Sequence, residues 1–203
     1  MTTKEKIFDV SIDLFSQHGF DGVSVRQIAG EVGIKESSIY NHYKSKESIM
    51  DDILSYYIQE MTAEEIPLAQ ASRNLDVGFE YFYKAGLDLY ISKLSEDKMM
   101  KITRILLIES YHNEKIKNFV KIAIIDGAVK GWMDLFDLMK EKKLIRSDCD
   151  TIQLAKSFFY YGLFLLIEHF IINYPEDDKE FLKDLAEKSQ KHMELIYNSV
   201  KIE

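Results

Sequence analysis

Residues 24–47 constrain the fold of this chain more than any other part of its sequence. Over residues 25–32, apolar side chains recur at i, i+3, i+4 and i+7, which is the spacing of one buried helical face. Ser24 precedes this run and Gln27 follows it by three positions, as in a capping box. Gly33 then ends the pattern as a helix-terminating glycine does. The segment therefore predicts a short helix with a defined start and end.

A second short helix is predicted shortly after this glycine. Ile39 and Tyr43 lie one turn apart and form its inward face, while its other face carries hydroxyl, amide, phenol and imidazole groups. A merely solvated face would more often be Glu and Lys, because these are better helix formers. The pattern is typical of a helix-turn-helix that reads duplex DNA, and a purely structural helical hairpin is the alternative.

The sequence around this motif resembles the DNA-binding domain of the TetR family of bacterial repressors. The residues that carry the resemblance are Leu14-Phe15, His18-Gly19-Phe20, Val23-Ser24-Val25, Ile28-Ala29, Val32-Gly33-Ile34, Ser38-Ile39-Tyr40 and His42 to Glu47. The resemblance implies an all-α fold. Residues 1–47 would form a three-helix helix-turn-helix DNA-binding domain, and residues 48–203 a larger helical domain for effector binding and dimerisation.

The resemblance also implies roles for individual residues. Those at phosphate-contacting positions are Ser24, Tyr40, His42 and Lys46. Those at positions that reach base edges are Arg26, Glu36, Ser37, Ser38 and Asn41, and Lys35 and Lys44 add positive charge beside them. The chemistry agrees, since Asn can pair with adenine, Arg favours guanine and Glu accepts from cytosine. Phosphate contacts fix the register of the protein on DNA, whereas base contacts select the sequence.

Two positions depart from the family pattern. Lys35 stands where the family usually has a Ser or Thr that caps the second helix, and the missing cap costs about 1 kcal/mol. The charge of Lys35 near phosphate would offset this loss. Tyr43 replaces the more common Phe, so its hydroxyl needs a hydrogen-bond partner or an exposed edge.

The net charge of −8 is unevenly distributed. Residues 1–47 hold six Lys/Arg and seven Asp/Glu, so the rest of the chain carries most of the excess negative charge. Between Lys35 and Lys46, three lysines face a single acidic residue, Glu36. We call residues 24–47 the reading segment. Because this segment is locally basic and the rest of the chain is acidic, we expect weak nonspecific DNA binding with a measurable salt dependence.

The sequence predicts a soluble cytoplasmic protein with no membrane partner. The single cysteine, Cys149, cannot form an internal disulfide and fits a reducing compartment. The amino-terminal segment lacks the apolar run of a signal peptide. The longest uncharged apolar stretch, residues 157–167, is too short to cross a bilayer and is closed by Glu168.

Beyond residue 47 the sequence predicts helices with an intervening loop. Ser45 would cap a connecting helix, and Leu68 to Asp76 is interpreted as a loop. The further helices are expected at about 76–94, 97–111, 114–143, 151–173 and 176–201, with Asn113, Asp150 and Asp177 as caps, which gives about nine helices in all.

The last two helices are predicted to mediate dimerisation. Residues 157–174 are apolar on nearly every side, so this helix must be buried all round. Leu182, Ser189 and Ile196 follow a seven-residue spacing in the final helix. An intrachain core and a four-helix bundle shared by two subunits fit the pattern about equally. The resemblance favours the homodimer.

The resemblance also implies an effector pocket in the aromatic-rich middle of the chain. We predict that Tyr90, Trp132, Phe136 and Tyr160 line it and that Glu109 or Glu168 anchors a small, mainly hydrophobic effector. Ordinary core packing is the alternative for each aromatic residue.

Enzymatic activity is not expected. Glu109 and His112 have the spacing of half a di-iron site, but the sequence has no second Glu-x-x-His, phosphate-binding loop or nucleophile elbow. No cofactor or metal is therefore predicted. The sequence instead favours a homodimeric, effector-released repressor of a pseudo-palindromic DNA operator. The alternatives are a DNA-associated protein of the same fold without an effector and, more remotely, a helical-bundle metalloenzyme.

Overall fold

The computed structural model describes residues 1–63, 68–175 and 177–202, and it is helical almost throughout. The α-helices are α1 (Thr3–His18), α2 (Val25–Val32), α3 (Glu36–Ile39), α4 (Lys46–Thr62), α5 (Leu68–Leu75), α6 (Phe79–Leu94), α7 (Asp97–Glu109), α8 (Glu114–Phe119), α9 (Gly127–Glu141), α10 (Thr151–Ile167) and α11 (Asp178–Val200). π-Helical segments span Val120–Asp126 and Glu168–Ile172. The predicted all-α fold is confirmed.

The predicted loop at Leu68 to Asp76 is wrong, because Leu68–Leu75 is a helix. Its polar residues suggested a loop, but Ala71 and Leu75 lie one turn apart and are both buried in a hydrophobic core. Burial of such a face stabilises a short helix that its composition alone does not predict. The last helix was expected from residue 176, which lies outside the described residues, and α11 begins at Asp178.

The predicted caps of the later helices are confirmed. The Asn113 side chain accepts from the backbone N–H groups of Lys115 and Ile116. The Asp150 side chain accepts from Ile152 and Gln153, and Asp177 caps α11 in the same manner. Each carboxylate or amide satisfies N–H groups that a helix start leaves without an intrahelical partner.

The chain divides into two compact units. The first comprises Met1–Glu64 together with Glu96–Phe119, and the second comprises Glu65–Ser95 together with Val120–Glu203. The first unit therefore contains α1 to α4 and also α7 and α8. Within it, α1 packs on α2, α4 and α7.

An aromatic cluster forms the core of the second unit. The Phe79 and Phe136 rings are fully buried, and both lie next to Phe158 with ring centroids 6.1 and 5.1 Å away. Around this core, α9 packs on α10, and α11 contacts both α6 and α10.

The helix from Thr151 to Ile172 is long and apolar enough to cross a membrane by length and composition. Only 33% of its apolar window is buried within the chain, and Tyr160, Phe164 and Ile171 are exposed. A core or interface helix of a protein that never enters a membrane meets the same criteria.

Candidate nucleic-acid interface

Helix α2 starts and ends as its sequence predicts. The Ser24 Oγ accepts from the Gln27 backbone N–H at 3.2 Å, and the Gln27 Oε1 accepts from the Ser24 backbone N–H at 2.7 Å. Gly33 ends the helix in the left-handed conformation, with φ of 77°. Ile28 and Ala29 are buried, so α2 is fixed at both ends and along one face.

Helix α3 is short, and its first turn lacks a side-chain cap because Lys35 occupies the N-cap position. Backbone hydrogen bonds from His42 and Tyr43 to Ile39 O continue into a turn after the helix. Ile39 and Tyr43 are buried, as predicted, and orient the opposite face of this segment outward.

The Tyr43 hydroxyl has the partner that its burial requires. It donates to Asp52 Oδ2 on α4 at 2.9 Å. Burial, followed by this contact with an acidic group, raises the pKa of the Tyr43 hydroxyl above its ordinary value. Lys4 Nζ lies 2.8 Å from the same Asp52 oxygen, which joins the start of α1 to α4.

Most residues predicted to contact DNA are solvent-exposed. Those on α2 and around α3 that are exposed are Ser24, Arg26, Lys35, Glu36, Ser37, Tyr40, Asn41, His42 and Lys44. Ser38 is half-buried beside them. The structure thus brings donors, acceptors and cations onto the outer side of α3 and the turn that follows. Because this surface offers no large aliphatic side chain, it suits polar base edges and phosphates.

Lys46, predicted to contact phosphate, is also used within the protein. Its Nζ donates to Phe20 O at 2.7 Å and to Val23 O at 2.8 Å, and it lies 4.2 Å from the Phe20 ring centroid. Sequence analysis missed this internal role. The signal available was only the position of a lysine in the first turn of α4, where a cation is unfavourable to the helix dipole.

The residues predicted to form an effector pocket do not gather at one place. Trp132 stacks on Phe136 with ring centroids 5.7 Å apart, but Phe136 is part of the tightly packed core. Tyr160 on α10 is exposed, and Tyr90 on α6 is half-buried.

The two predicted anchors lie in different units. Glu168 lines a cavity of about 350 Å³ in the second unit, formed by α10, the π-helical segment after it and α11. Glu109 lies in the first unit on α7, where its Oε1 accepts from the backbone N–H of Phe20 at 2.8 Å. Its carboxylate therefore supports the turn between α1 and α2.

A family model described as bacterial regulatory proteins, tetR family, matches residues 7–53. The chain is 42% identical over 55 residues to the HTH-type transcriptional regulator YerO of Bacillus subtilis. This alignment covers 27% of the present chain and 19% of YerO. It is 41% identical over 59 residues to the negative transcriptional regulator IcaR of Staphylococcus epidermidis, covering 27% of this chain and 32% of IcaR. The matched region thus spans less than one third of each relative's length.

The fold is shared with solved structures over nearly the whole chain. SmeT, the repressor of a Stenotrophomonas maltophilia multidrug efflux pump, superposes with a TM-score of 0.67 at 17% sequence identity. The superposition covers 100% of the present chain and 92% of the SmeT chain. A putative TetR-family regulator of Mesorhizobium loti superposes with a TM-score of 0.65 at 15% sequence identity, covering 98% of the present chain and 97% of the other. Residues 7–53 are thus an amino-terminal domain of the tetR family of bacterial regulatory proteins, and the chain as a whole has the fold of solved TetR-family regulators.

Proposed function

We propose that this protein is a transcriptional repressor that binds a pseudo-palindromic operator as a homodimer and dissociates from it when a small, mainly hydrophobic effector binds. The observation that carries the proposal is the exposed polar surface of α3 and its following turn, which lies within the residues matched by the family model. Repression is supported by two relatives, since IcaR is named a negative regulator and SmeT a repressor. We place its action in the cytoplasm, with DNA and no membrane as its partner.

We assign base reading to Arg26, Glu36, Ser37, Ser38 and Asn41. Phosphate binding falls to Ser24, Tyr40, His42 and the lysines that flank α3. This division follows from chemistry, because an Asn amide can pair with two atoms of adenine whereas a lysine ammonium attracts any phosphate. We retain residues 1–47 as the functional DNA-binding segment and residues 48–203 as the segment for effector binding and dimerisation.

The homodimer is supported by the exposed apolar surface of the last two helices. Tyr160 and Phe164 on α10 and Leu195 on α11 are all strongly exposed in the single chain. Removing such side chains from water favours association, and this gain must exceed the entropy that two subunits lose when they associate. Dimerisation also places two reading segments on successive major grooves, about 34–36 Å apart, as a pseudo-palindrome requires.

Effector release would follow from a change in the spacing of the two DNA-reading segments of the dimer. A coupling free energy of about 1–3 kcal/mol between effector and operator binding is enough for such a switch. We keep Tyr90, Trp132, Phe136, Tyr160 and Glu168, all in the second unit, as the candidate effector residues, whereas Glu109 lies in the first unit and binds Phe20. Because Trp132 packs against core aromatics, its fluorescence should report effector binding nearby.

The test is footprinting of the purified full-length protein on the DNA that flanks its own gene, over a series of salt concentrations. We expect protection of two half-sites, with Asn41→Ala relaxing the preference at one base pair by about 1–3 kcal/mol. Lys44→Ala is the matched comparison. It should weaken binding to all DNA sequences alike and reduce the slope of log K against log salt concentration by about one. Absence of any protected site at low salt contradicts the proposal.

A DNA-associated protein without an effector is the remaining alternative. It predicts the same footprint but no release by any member of a broad panel of hydrophobic compounds, with unchanged Trp132 fluorescence. The metalloenzyme alternative finds no support in Glu109, because this carboxylate is hydrogen-bonded to the backbone of Phe20.

A further inference from the structure

The turn between α1 and α2 is held from two sides by side chains of opposite formal charge. The Phe20 N–H donates to Glu109 Oε1 at 2.8 Å, and the Phe20 carbonyl accepts from Lys46 Nζ at 2.7 Å. Lys46 also donates to Val23 O, immediately before the Ser24 cap of α2. We call Glu109, Lys46 and the backbone of Phe20 the Phe20 clamp.

The turn is fitted closely to the Glu109 carboxylate. Glu109 is only 8% exposed, so its hydrogen bond to Phe20 is shielded from water. Gly19 adopts φ of +73°, and a Cβ at this position would lie 2.9 Å from Glu109 Oε1. The glycine is therefore required both by its backbone conformation and by the approach of the carboxylate.

The Phe20 side chain fixes the same turn from inside. Its ring is buried and packs edge-on against Phe15 with centroids 5.2 Å apart. Lys46 Nζ lies over the Phe20 ring at 4.2 Å, so one ammonium contacts both the ring and the carbonyl of this residue. Charge-assisted hydrogen bonds of this kind are stronger and more directional than neutral ones.

The two charged residues belong to the two segments that join the first unit to the second. Lys46 begins α4, and the chain passes from the first unit to the second after Glu64. Glu109 lies on α7, within the segment that returns to the first unit at Glu96 and leaves it after Phe119. Every covalent connection between the units therefore runs through a segment that binds Phe20.

We propose that Glu109 and Lys46 are positioning residues that hold α2 and α3 in their operator-binding orientation by binding the backbone on both sides of Phe20. This inference rests on the proposed function. Glu109 would act through Phe20 and would not touch DNA. Two of the three Lys46 N–H groups are committed to carbonyls, which leaves one for a phosphate.

The first test compares Glu109→Leu, Glu109→Gln and wild-type full-length protein on a fragment flanking its own gene and on unrelated DNA. We expect Glu109→Leu to weaken specific binding by about 5- to 150-fold, because the coupling between α7 and the turn is lost. Binding to unrelated DNA should stay unchanged, because phosphate contacts do not involve Glu109. Glu109→Gln keeps an acceptor oxygen, so its loss should be smaller.

Glu114→Gln is the matched control. Glu114 is exposed and pairs with Lys117 along α8, so this variant removes a negative charge from the same segment, as Glu109→Leu does, without touching the turn. It should bind the flanking fragment as the wild type does. If Glu114→Gln weakens binding as much as Glu109→Leu, the effect does not come from the turn and the Phe20 clamp is refuted.

Amide hydrogen exchange gives a readout that does not depend on DNA. The Phe20 N–H should exchange at least about tenfold faster in Glu109→Leu than in wild type, since it loses its buried acceptor. The Gln27 N–H, which Ser24 caps, should keep its rate. Should Glu109→Leu fail to fold, the same comparison is made with Glu109→Ala, which also removes the acceptor. An unaltered Phe20 rate in the folded variant overturns the proposal.

A double-mutant cycle of Lys46→Gln and Glu109→Leu tests whether the two residues act together on the turn. Opening either side of the clamp should already free the turn, so the double variant should bind the flanking fragment little more weakly than the weaker single variant. Additive losses would mean that Lys46 acts only as an independent phosphate contact. Wild-type protein that binds no fragment instead refutes the proposed function, whereas wild-type binding that Glu109→Leu leaves intact refutes the clamp alone.

Discussion

Both units of this protein have a buried apolar core, but the contacts that pair their helices differ. In the first unit, α7 meets α1 through directional polar contacts: Lys98 with Asp9, Lys101 with Asp13 and Arg104 with Ser16 O, at 2.7 to 2.9 Å. In the second unit, rings from α6, α9 and α10 pack around Phe79, Phe136 and Phe158.

The two kinds of contact have different consequences: ion pairs determine how α7 aligns with α1, and aromatic packing contributes free energy of folding. Exposed ion pairs contribute little free energy each, typically about 0–1 kcal/mol, yet they fix which residue of α7 faces which residue of α1. Aromatic packing contributes far more free energy but tolerates adjustment of ring positions. The polar contacts of the first unit thus suit it to hold α2 and α3 in one orientation, while both units have buried apolar cores that stabilise them.

The largest effect is expected from Phe136→Ala. Phe136 is 1% exposed, so its truncation should lower the free energy of unfolding by about 3–5 kcal/mol. Denaturant unfolding of the variant measures this loss. Tyr81→Ala is the control, since Tyr81 is 63% exposed and its truncation should cost no more than about 0.5 kcal/mol. Equal losses would contradict the assignment of the core.

The next largest effects concern the N-cap positions of α2 and α3, of which only the first has a capping side chain. Ser24→Ala removes the α2 cap and should lower the free energy of unfolding by about 1 kcal/mol. Lys35→Ser supplies a cap that α3 lacks and should raise it by about 0.5–1 kcal/mol, while reducing the salt dependence of DNA binding. Thermal unfolding and salt-dependent gel shifts measure both. If the Lys35→Ser protein is less stable than wild type, the missing N-cap does not limit the stability of α3.

The smallest effect concerns Asp52 on α4, which contacts Lys4 of α1 and Tyr43 of the turn after α3. Burial pushes the pKa of Asp52 up, but hydrogen bonds from Lys4 and Tyr43 and the charge of Lys4 outweigh it and hold the pKa below its ordinary value of 3.8. The folded state therefore binds this proton less readily than the unfolded state does. The stabilisation is fully present above the unfolded pKa and is lost as pH falls through the lower folded one.

We expect Asp52→Asn to flatten the acid limb of a stability–pH curve measured by denaturant unfolding. The loss of stability on acidification should be smaller in the variant, because it has no proton to take up at this position. Asp88→Asn is the control, since Asp88 pairs with Lys84 on one exposed face of α6. Parallel curves for wild type and Asp52→Asn would rule out a role for this carboxylate.

Much of the reading segment was predictable from sequence because its determinants are local. The Ser24–Gln27 capping box, the left-handed Gly33, the uncapped Lys35 and the buried Ile39 all depend on residues within one or two turns. The same holds for the later caps. Helix α5 was missed because its polar composition resembles a loop, and burial of Ala71 and Leu75 by distant residues makes it helical.

The candidate site was less predictable where its contacts are long-range. Glu109 was interpreted as a possible effector anchor because it interrupts an apolar helix. That signal correctly marked an unusual carboxylate. Its partner, the N–H of Phe20, is 89 positions away in sequence, and no local pattern connects the two.

The sequence alone determined the helical fold, the boundaries of the reading segment and the outward chemistry of α3, since these follow from periodicity and capping between near neighbours. Only the tertiary structure decided that α7 packs beside α1, that Lys46 and Glu109 both bind the backbone of Phe20, and that Phe136 belongs to a filled core. The physical reason is that hydrogen-bond partners and packed rings are selected by distance in space. Side-chain periodicity reports which face is buried, but not what buries it.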